Sequence, residues 1–305
     1  MRLKIATSQF PVSSDIYRNL YHISDQMKTA KNKGAAIIHF PEGSLSGYAG
    51  VDFDSFENYP WDVLKNATLE IMGLAGKLKI WVILGSSHPL TGKNKPHNSL
   101  YIIDDTGKIL DRYDKRFCAG NPERDPEELE HFSPGSHFSI FSIRGIRCGT
   151  LICHEYRYPE LYREYKKLNV QLIFHSFHAA NMDPVRQKKM EDQVGKKYHP
   201  FNPGKTLPEI TMPATMISHA GNNYFWISCS NASAGESCWG SMVVRPDGVI
   251  HGRLNKNTDE ILITEIDTNM EYYDSSVAWR ERAMNGIYHS GDMVKDQRSE
   301  NRIEL

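Results

Sequence analysis

Cysteine is scarce in this chain: five occur among 305 residues, as Cys118, Cys148, Cys153, Cys229 and Cys238. An odd and sparse set builds no disulfide framework and suits a reducing compartment, so a cytoplasmic protein is expected. No Cys-x-x-Cys pair and no His-Glu-x-x-His segment is present, which leaves a zinc site without support, and no metal is expected. There is no G-x-G-x-x-G and no phosphate-binding loop, so nucleotide chemistry is not expected either. Charge of one sign is also missing. Lys plus Arg number 36 and Asp plus Glu 37, a net charge of −1, which draws neither nucleic acid nor a membrane surface. No apolar run approaches the roughly 18 residues of a membrane span. Met1 runs straight into Arg2-Leu3-Lys4-Ile5 with no apolar leader, so no signal peptide is expected.

What is present alternates between strand-like and helix-like periodicity. Residues 3–9 read as a strand. Ser13-Ser14-Asp15 offers caps for a helix with the stripe Ile16, Leu20, Ile23, Met27 and Ala30, stopped near Gly34. Residues 35–40 form a short buried strand that Pro41 ends, with Glu42 just beyond it. A helix over 61–78 and a strand over 81–86 follow. Asp104-Asp105-Thr106-Gly107-Lys108 joins two arms of a hairpin, with Lys115 at the end of the second arm, and Arg144-Gly145 joins another hairpin that closes on Cys153. Pro159 suits a helix first turn. Strands are then expected over 171–175, 224–230, 240–244 and 261–266, with a helix near 212–221 and a turn at Pro246-Asp247-Gly248. Residues 119–135 and 181–205 read as long loops, the kind that are functional or mobile in a compact domain.

Three of these strands end in an ionisable side chain: Glu42, Lys115 and Cys153. Active sites collect outside the carboxyl ends of strands, so the shared placement points to chemistry. Singly, a cysteine at a strand end is ordinarily a small core residue, and a lysine there is ordinarily solvated. Together they supply what amide cleavage by a thiol needs. Cys153 is the expected nucleophile, and Lys115 and the free N–H groups of a following helix would favour its thiolate. Glu42 is then expected to act as base and afterwards acid, with Lys115 and the main-chain N–H of His154 expected to hold the oxyanion.

The words around these residues resemble the nitrilase superfamily of carbon–nitrogen hydrolases. The glutamate segment is Phe40-Pro41-Glu42-Gly43-Ser44-Leu45-Ser46-Gly47-Tyr48. The lysine segment is Tyr113-Asp114-Lys115-Arg116, and the cysteine segment is Gly149-Thr150-Leu151-Ile152-Cys153-His154-Glu155-Tyr156-Arg157-Tyr158-Pro159-Glu160. Phe132-Ser133-Pro134-Gly135 and Gly240-Ser241-Met242-Val243-Val244 with Pro246-Asp247-Gly248 extend the likeness, which covers residues 3–268. The resemblance implies an α/β fold, a four-layer α-β-β-α sandwich, over residues 1–280 as a single domain. Residues 281–305 are left as a C-terminal tail, frayed or packed on a partner subunit. It also implies a homodimer or higher homo-oligomer, a thioester mechanism and no cofactor.

By the same resemblance another glutamate follows the lysine, placed at Glu128, with Glu127 and Glu130 as the neighbours that a small shift would select. Tyr48, His154, Glu155, His175 and His178 are taken to line the substrate pocket. A satisfied structural role is the competing reading for the histidines. Residues 181–205, with Arg186, Lys188 and Lys189, are either a lid that reads an acidic group or a solvated insertion. The expected substrate is a small amide or N-carbamoyl compound, with no nucleic acid and no membrane as partner. Nitrile hydrolysis is the alternative chemistry. A silent binding or regulatory member of the fold and a redox-sensing Cys148/Cys153 protein are the alternatives outside it.

Overall fold

A computed structural model describes residues 1–121 and 123–303. After strand β1 (Arg2–Gln9), the Asp15 carboxylate accepts from the main-chain N–H groups of Tyr17 and Arg18, so α1 (Ile16–Asn32) starts at the expected cap. Gly34, at a φ of 79°, stands just past its end. Then come β2 (Ile37–His39), α2 (Trp61–Leu78), β3 (Trp81–His88), and the hairpin of β4 (His97–Ile103) and β5 (Ile109–Asp114). The second half opens with the hairpin of β6 (Ile140–Ile143) and β7 (Ile146–Ile152). Its two-residue turn, Arg144-Gly145, has both residues at positive φ, as the twist of a tight hairpin demands. It continues through α3 (Pro159–Lys167), β8 (Leu172–Phe177), α4 (Pro184–Val194), α5 (Leu207–Asn223), β9 (Trp226–Asn231), β10 (Met242–Val244), β11 (Ile250–Arg253) and β12 (Glu260–Asp267). Short helices α6 (Arg280–Met284) and α7 (Gln297–Glu300) follow.

The strands form two six-stranded sheets, in the orders β12-β1-β2-β3-β4-β5 and β11-β10-β9-β8-β7-β6. The β1-β2-β3 and β7-β8-β9 runs are parallel, and the remaining pairings are antiparallel. Alternation along the strands sorts two cores. Ile37, Ile83, Leu100 and Ile102 pack with the second sheet, whereas Ile38, Val82, Leu84, Tyr101 and Ile103 pack with Ile23 and Met27 of α1 and Ile71 and Ala75 of α2. On the far side, Leu161 and Tyr162 of α3 and Met216 and Ala220 of α5 complete the first of these cores. The result is the four-layer α-β-β-α sandwich.

The sheets also meet through a polar seam. Thr7 Oγ1 lies 2.8 Å from Ser228 Oγ, and His39 reaches Ser228 and Ser176 with its two ring nitrogens at 2.9 Å each. Every member is buried and bonded, so burying these groups incurs little desolvation penalty.

Three elements differ from expectation. The helix expected near 212–221 starts at Leu207, because Thr206 and Glu209 form a capping box there and Pro208 fits the first turn. Strand β11 was not expected, since Ile250-His251-Gly252-Arg253 alternates only between half-buried and exposed positions and carries a glycine. Residues 181–205 are not a plain loop: Asp183 caps α4, and a 3₁₀ turn, Lys196–Phe201, follows. No side chain of α4 is buried, which is why no apolar stripe announced it. Among the described residues no helix is long and apolar enough to cross a membrane.

Candidate active site

The carboxyl ends of β2, β5 and β7 lie together, bringing Glu42, Lys115 and Cys153 to one place. Glu42 follows β2 in a tight turn that presses on β3. A Cβ on Gly85 would come 2.1 Å from the Pro41 carbonyl oxygen, so only glycine lets the strand pass so near. Lys115 follows β5 directly, its main-chain N–H donating to Asn98 at 2.8 Å. Cys153 opens the 3₁₀ turn Cys153–Arg157 at a φ of 39°, a left-handed conformation that a non-glycine residue seldom adopts.

At the centre, Lys115 Nζ donates to Glu42 Oε1 at 2.8 Å and to Glu128 Oε1 at 2.6 Å. The lysine is 1% exposed, Glu42 0% and Glu128 4%, so these charges interact with little screening by water. Burial alone would pull the lysine down, but Glu128 and Glu42 hold its pKa well above the usual value, and it stays an ammonium. Burial pushes Glu128 the other way, yet Lys115 and the Ala119 N–H keep its carboxyl below its ordinary value. Glu127 and Glu130, the neighbours in the 3₁₀ turn Glu127–Glu130, are exposed. Asn98 on β4, which sequence reasoning missed, donates through Nδ2 to Glu42 Oε1 at 2.8 Å and lies 3.3 Å from Glu128 Oε1. It carries no motif of its own; only strand pairing puts it between two carboxylates. With Oε1 held twice, Glu42 Oε2 is buried and has no hydrogen-bond partner.

At the nucleophile candidate, burial opposes the thiolate that Lys115 favours. Desolvation raises the Cys153 pKa well above that of an ordinary cysteine. Glu42 and Glu128 add to the rise, and Lys115 offsets it only in part because its charge is shared by two carboxylates. Cys153 is partly open to solvent, whereas Cys148 is a buried residue of β7.

The residues expected to line the pocket divide. Glu155 and His175 turn inward. The Glu155 carboxylate accepts from Tyr113 Oη at 2.7 Å and from the N–H groups of Arg116 and Ile152 at 2.7 Å, tying the lysine segment to the cysteine turn. Both its oxygens are engaged and the residue is fully buried, so it offers no free group to a substrate. Burial raises its pKa to about 7. His175 donates from Nε2 to the Cys153 carbonyl at 3.2 Å and accepts from Tyr162 Oη at Nδ1, 2.8 Å away. Burial keeps it neutral, which fits that tautomer.

The other three face the triad more directly. His154 is half-buried against Tyr158, its pKa lowered to about 4 by burial and then by Lys115. Tyr48 approaches Glu128 with its hydroxyl and stacks its ring on His178, centroids 5.1 Å apart at 16°. His178 Nε2 lies 3.0 Å from Asp52 Oδ2. Asp52 is a second residue that sequence reasoning missed, because nothing near it in the chain marks it. On α4, Arg186, Lys188 and Lys189 are not buried, and Lys188 pairs with Asp192 at 3.4 Å. Among the described residues no group of three or more His, Cys, Asp or Glu is placed to hold a metal ion.

The carbon-nitrogen hydrolase family model matches residues 4–272. The chain belongs to the carbon–nitrogen hydrolase family. Among relatives of this hydrolase-family chain, an omega-amidase from Xenopus tropicalis is 29% identical over 175 residues, 56% of this chain and 62% of that protein. A glutamine-dependent NAD(+) synthetase from Acinetobacter baylyi is 29% identical over 209 residues, 68% of this chain and 35% of that protein. The match therefore spans less than two thirds of either relative. In fold, this family member is similar to the nitrilase-superfamily amidase from Nesterenkonia AN1, with a TM-score of 0.68 at 21% identity, covering 88% of this chain and 91% of that one. The same amidase in complex with butyramide gives 0.67 at 22% identity, covering 87% of this chain and 90% of that one.

Proposed function

We propose that this chain hydrolyses the carbon–nitrogen bond of a small amide or N-carbamoyl compound through a thioester on Cys153. The observation that carries the reading is the buried, unpartnered Glu42 Oε2 in the site that also holds Lys115 and Cys153: a carboxylate with one oxygen fixed and one free can take the proton of the thiol. Cys153 Sγ attacks the carbonyl carbon while its proton passes to Glu42. Lys115 Nζ and the His154 main-chain N–H hold the developing oxyanion. Glu42 returns the proton to the nitrogen, the C–N bond breaks, and ammonia or amine leaves. Water then gives a proton to Glu42 as its oxygen attacks the thioester carbon, and release of the acid restores the thiol. Glu128 orients Lys115 and keeps it charged.

Amidase names among the relatives and fold neighbours support the choice of amide. The carry-over of a homo-oligomeric state belongs to the same reading, as does a position of residues 181–205 at the pocket mouth. Ammonia release across small amides, N-carbamoyl amines, N-carbamoyl amino acids and nitriles tests the proposal, with Cys153→Ala as control. Ammonia from amides or carbamoyl compounds that vanishes in the control is the expected result. Acid formed from nitriles alone would assign nitrile hydrolysis instead, and turnover by Cys153→Ala would remove the nucleophile.

A further inference from the structure

Strand pairing gives Asn98 a place that no motif announces. On one side β4 pairs with β3, Ser87 against Asn98, and on the other it pairs with β5, Ser99 against Asp114. One step further, the second register sets residue 98 opposite residue 115, and the Lys115 main-chain N–H donates to the Asn98 carbonyl at 2.8 Å. Residues opposed in an antiparallel pair send their side chains to the same face. The Asn98 amide and the Lys115 ammonium therefore leave the sheet together, and Asn98 is buried with the charges.

Asn98 Nδ2 lies 2.8 Å from Glu42 Oε1 and 3.3 Å from Glu128 Oε1. Its two N–H groups can serve both acids at once, and the reverse orientation of the amide would set a carbonyl oxygen against two carboxylates. Lys115 Nζ reaches the same two oxygens, at 2.8 and 2.6 Å. On Glu42 the consequence is direction. Lys115 and Asn98 fill Oε1, and Oε2 is left buried without a partner. With the ammonium alone, the carboxylate could turn about its bond so that either oxygen met Nζ. Two donors carried by neighbouring strands hold a single rotation. Charge is also balanced here. Two carboxylates share one lysine, and like charges held so near favour protonation of one of them. The amide adds donors without adding a charge, and donors to the charged form favour it. Besides Lys115 and Glu128, the titratable groups about Glu42 are Cys153, Cys118, Tyr48 and His178.

We infer that Asn98 is a positioning residue: it fixes the rotation of the Glu42 carboxylate and keeps that acid ionised beside Glu128, so that Oε2 is the atom that takes the thiol proton. The inference rests on the reading of Glu42 as the base. It is tested in Asn98→Ala and in Asn98→Leu, which fills the asparagine's volume without a donor. One measurement is kcat and kcat/KM against pH on an amide that the wild type turns over. The other is the infrared C=O stretch of protonated carboxyls over the same pH range, with and without Glu42→Gln added to each variant. Each variant should lose about tenfold to a hundredfold in kcat, the worth of a hydrogen bond to a charged group, with KM little changed. The acidic limb of kcat/KM should move up by about one pH unit, because a carboxylate that has lost a donor takes up its proton more readily. A carboxyl band should rise at correspondingly higher pH than in the wild type and vanish when Glu42→Gln is added. A loss of kcat with limb and band unmoved would make Asn98 structural only and overturn the inference, as would wild-type kcat in a folded variant. A band that survives Glu42→Gln would put the proton on another acid and overturn it too. If Asn98→Ala does not fold by circular dichroism, Asn98→Leu decides. Should the wild type turn over no amide, the band decides alone: moved to higher pH it upholds Asn98 while the substrate reading fails, and unmoved it overturns both.

Discussion

Glu42 meets Lys115 through one carboxylate oxygen and keeps the other free. Oε1 accepts from Nζ at 2.8 Å, Oε2 has no partner, and both side chains are buried. A base so held is fixed in direction without being neutralised on the side that faces the reaction. The same lysine carries a second carboxylate, Glu128, at 2.6 Å, and the three charges form a buried cluster with one net negative charge. Desolvation first, and that excess after it, raise the pKa of the neighbouring Cys153 thiol, and each element of the cluster leads to a different expectation.

Glu42→Gln should keep the shape of the cluster, because the amide oxygen can still accept from Lys115. It removes the proton acceptor. Turnover should fall by about 10² to 10⁴, the usual range for a general base. A single-turnover measurement should show acylation of Cys153 slowed by the same factor. Acylation at the wild-type rate would place the base elsewhere.

Lys115→Ala leaves Glu42 and Glu128 buried without their shared cation. Breaking such a pair costs on the order of 3–5 kcal/mol of stability, and loss of an oxyanion donor costs on the order of 3 kcal/mol in the transition state. Urea unfolding together with kcat should register both losses. Near-wild-type kcat in a folded variant would contradict the role assigned to the lysine.

Gly85→Ala touches no charged group, yet it should disable the site. Its Cβ would lie 2.1 Å from the Pro41 carbonyl oxygen and 2.9 Å from the Gly43 nitrogen, both of which are backbone and cannot swing away. The turn that carries Glu42 must move. Overpacking of this kind costs about 1–3 kcal/mol, and kcat should drop well beyond what that loss of stability would cause. An active, stable variant would show that the turn tolerates displacement.

Acid should unfold the protein through its histidines. Burial lowers His39 to about 3 and His219 to about 4, with His154 also near 4 and His175 well below the usual value. An unfolded chain protonates these groups near pH 6.5. Their contribution to stability is therefore complete above that value and is lost as pH falls toward their folded values. Glu155, raised to about 7, and His178, raised above the ordinary histidine value, act in the opposite sense, two groups against five once His88, lowered chiefly by burial, is counted. The urea midpoint should fall between pH 7 and pH 5. A midpoint that rises over that interval would mean that these rings are solvated.

The sequence by itself determined the order of the elements apart from α4, β11 and the short helices of the tail, and with it the two hairpins, the Asp15 cap and the three segments that carry Glu42, Lys115 and Cys153. These are local matters: periodicity, turn chemistry and short words are written in consecutive residues. It could also pick out Glu128 by distance along the chain, although only burial separates it from Glu127 and Glu130. The tertiary structure alone decided what depends on segments far apart in the chain. Asn98 lies between two carboxylates because β4 pairs beside β3. Asp52 reaches His178 across 126 positions. Glu155 and His175 became supports instead of pocket walls because strands and turns from elsewhere supplied partners for every polar atom they own. The burial that opposes a Cys153 thiolate was beyond the sequence for the same reason. Protonation follows the sum of desolvation and all nearby charges, and that sum exists only once the chain has closed around the site.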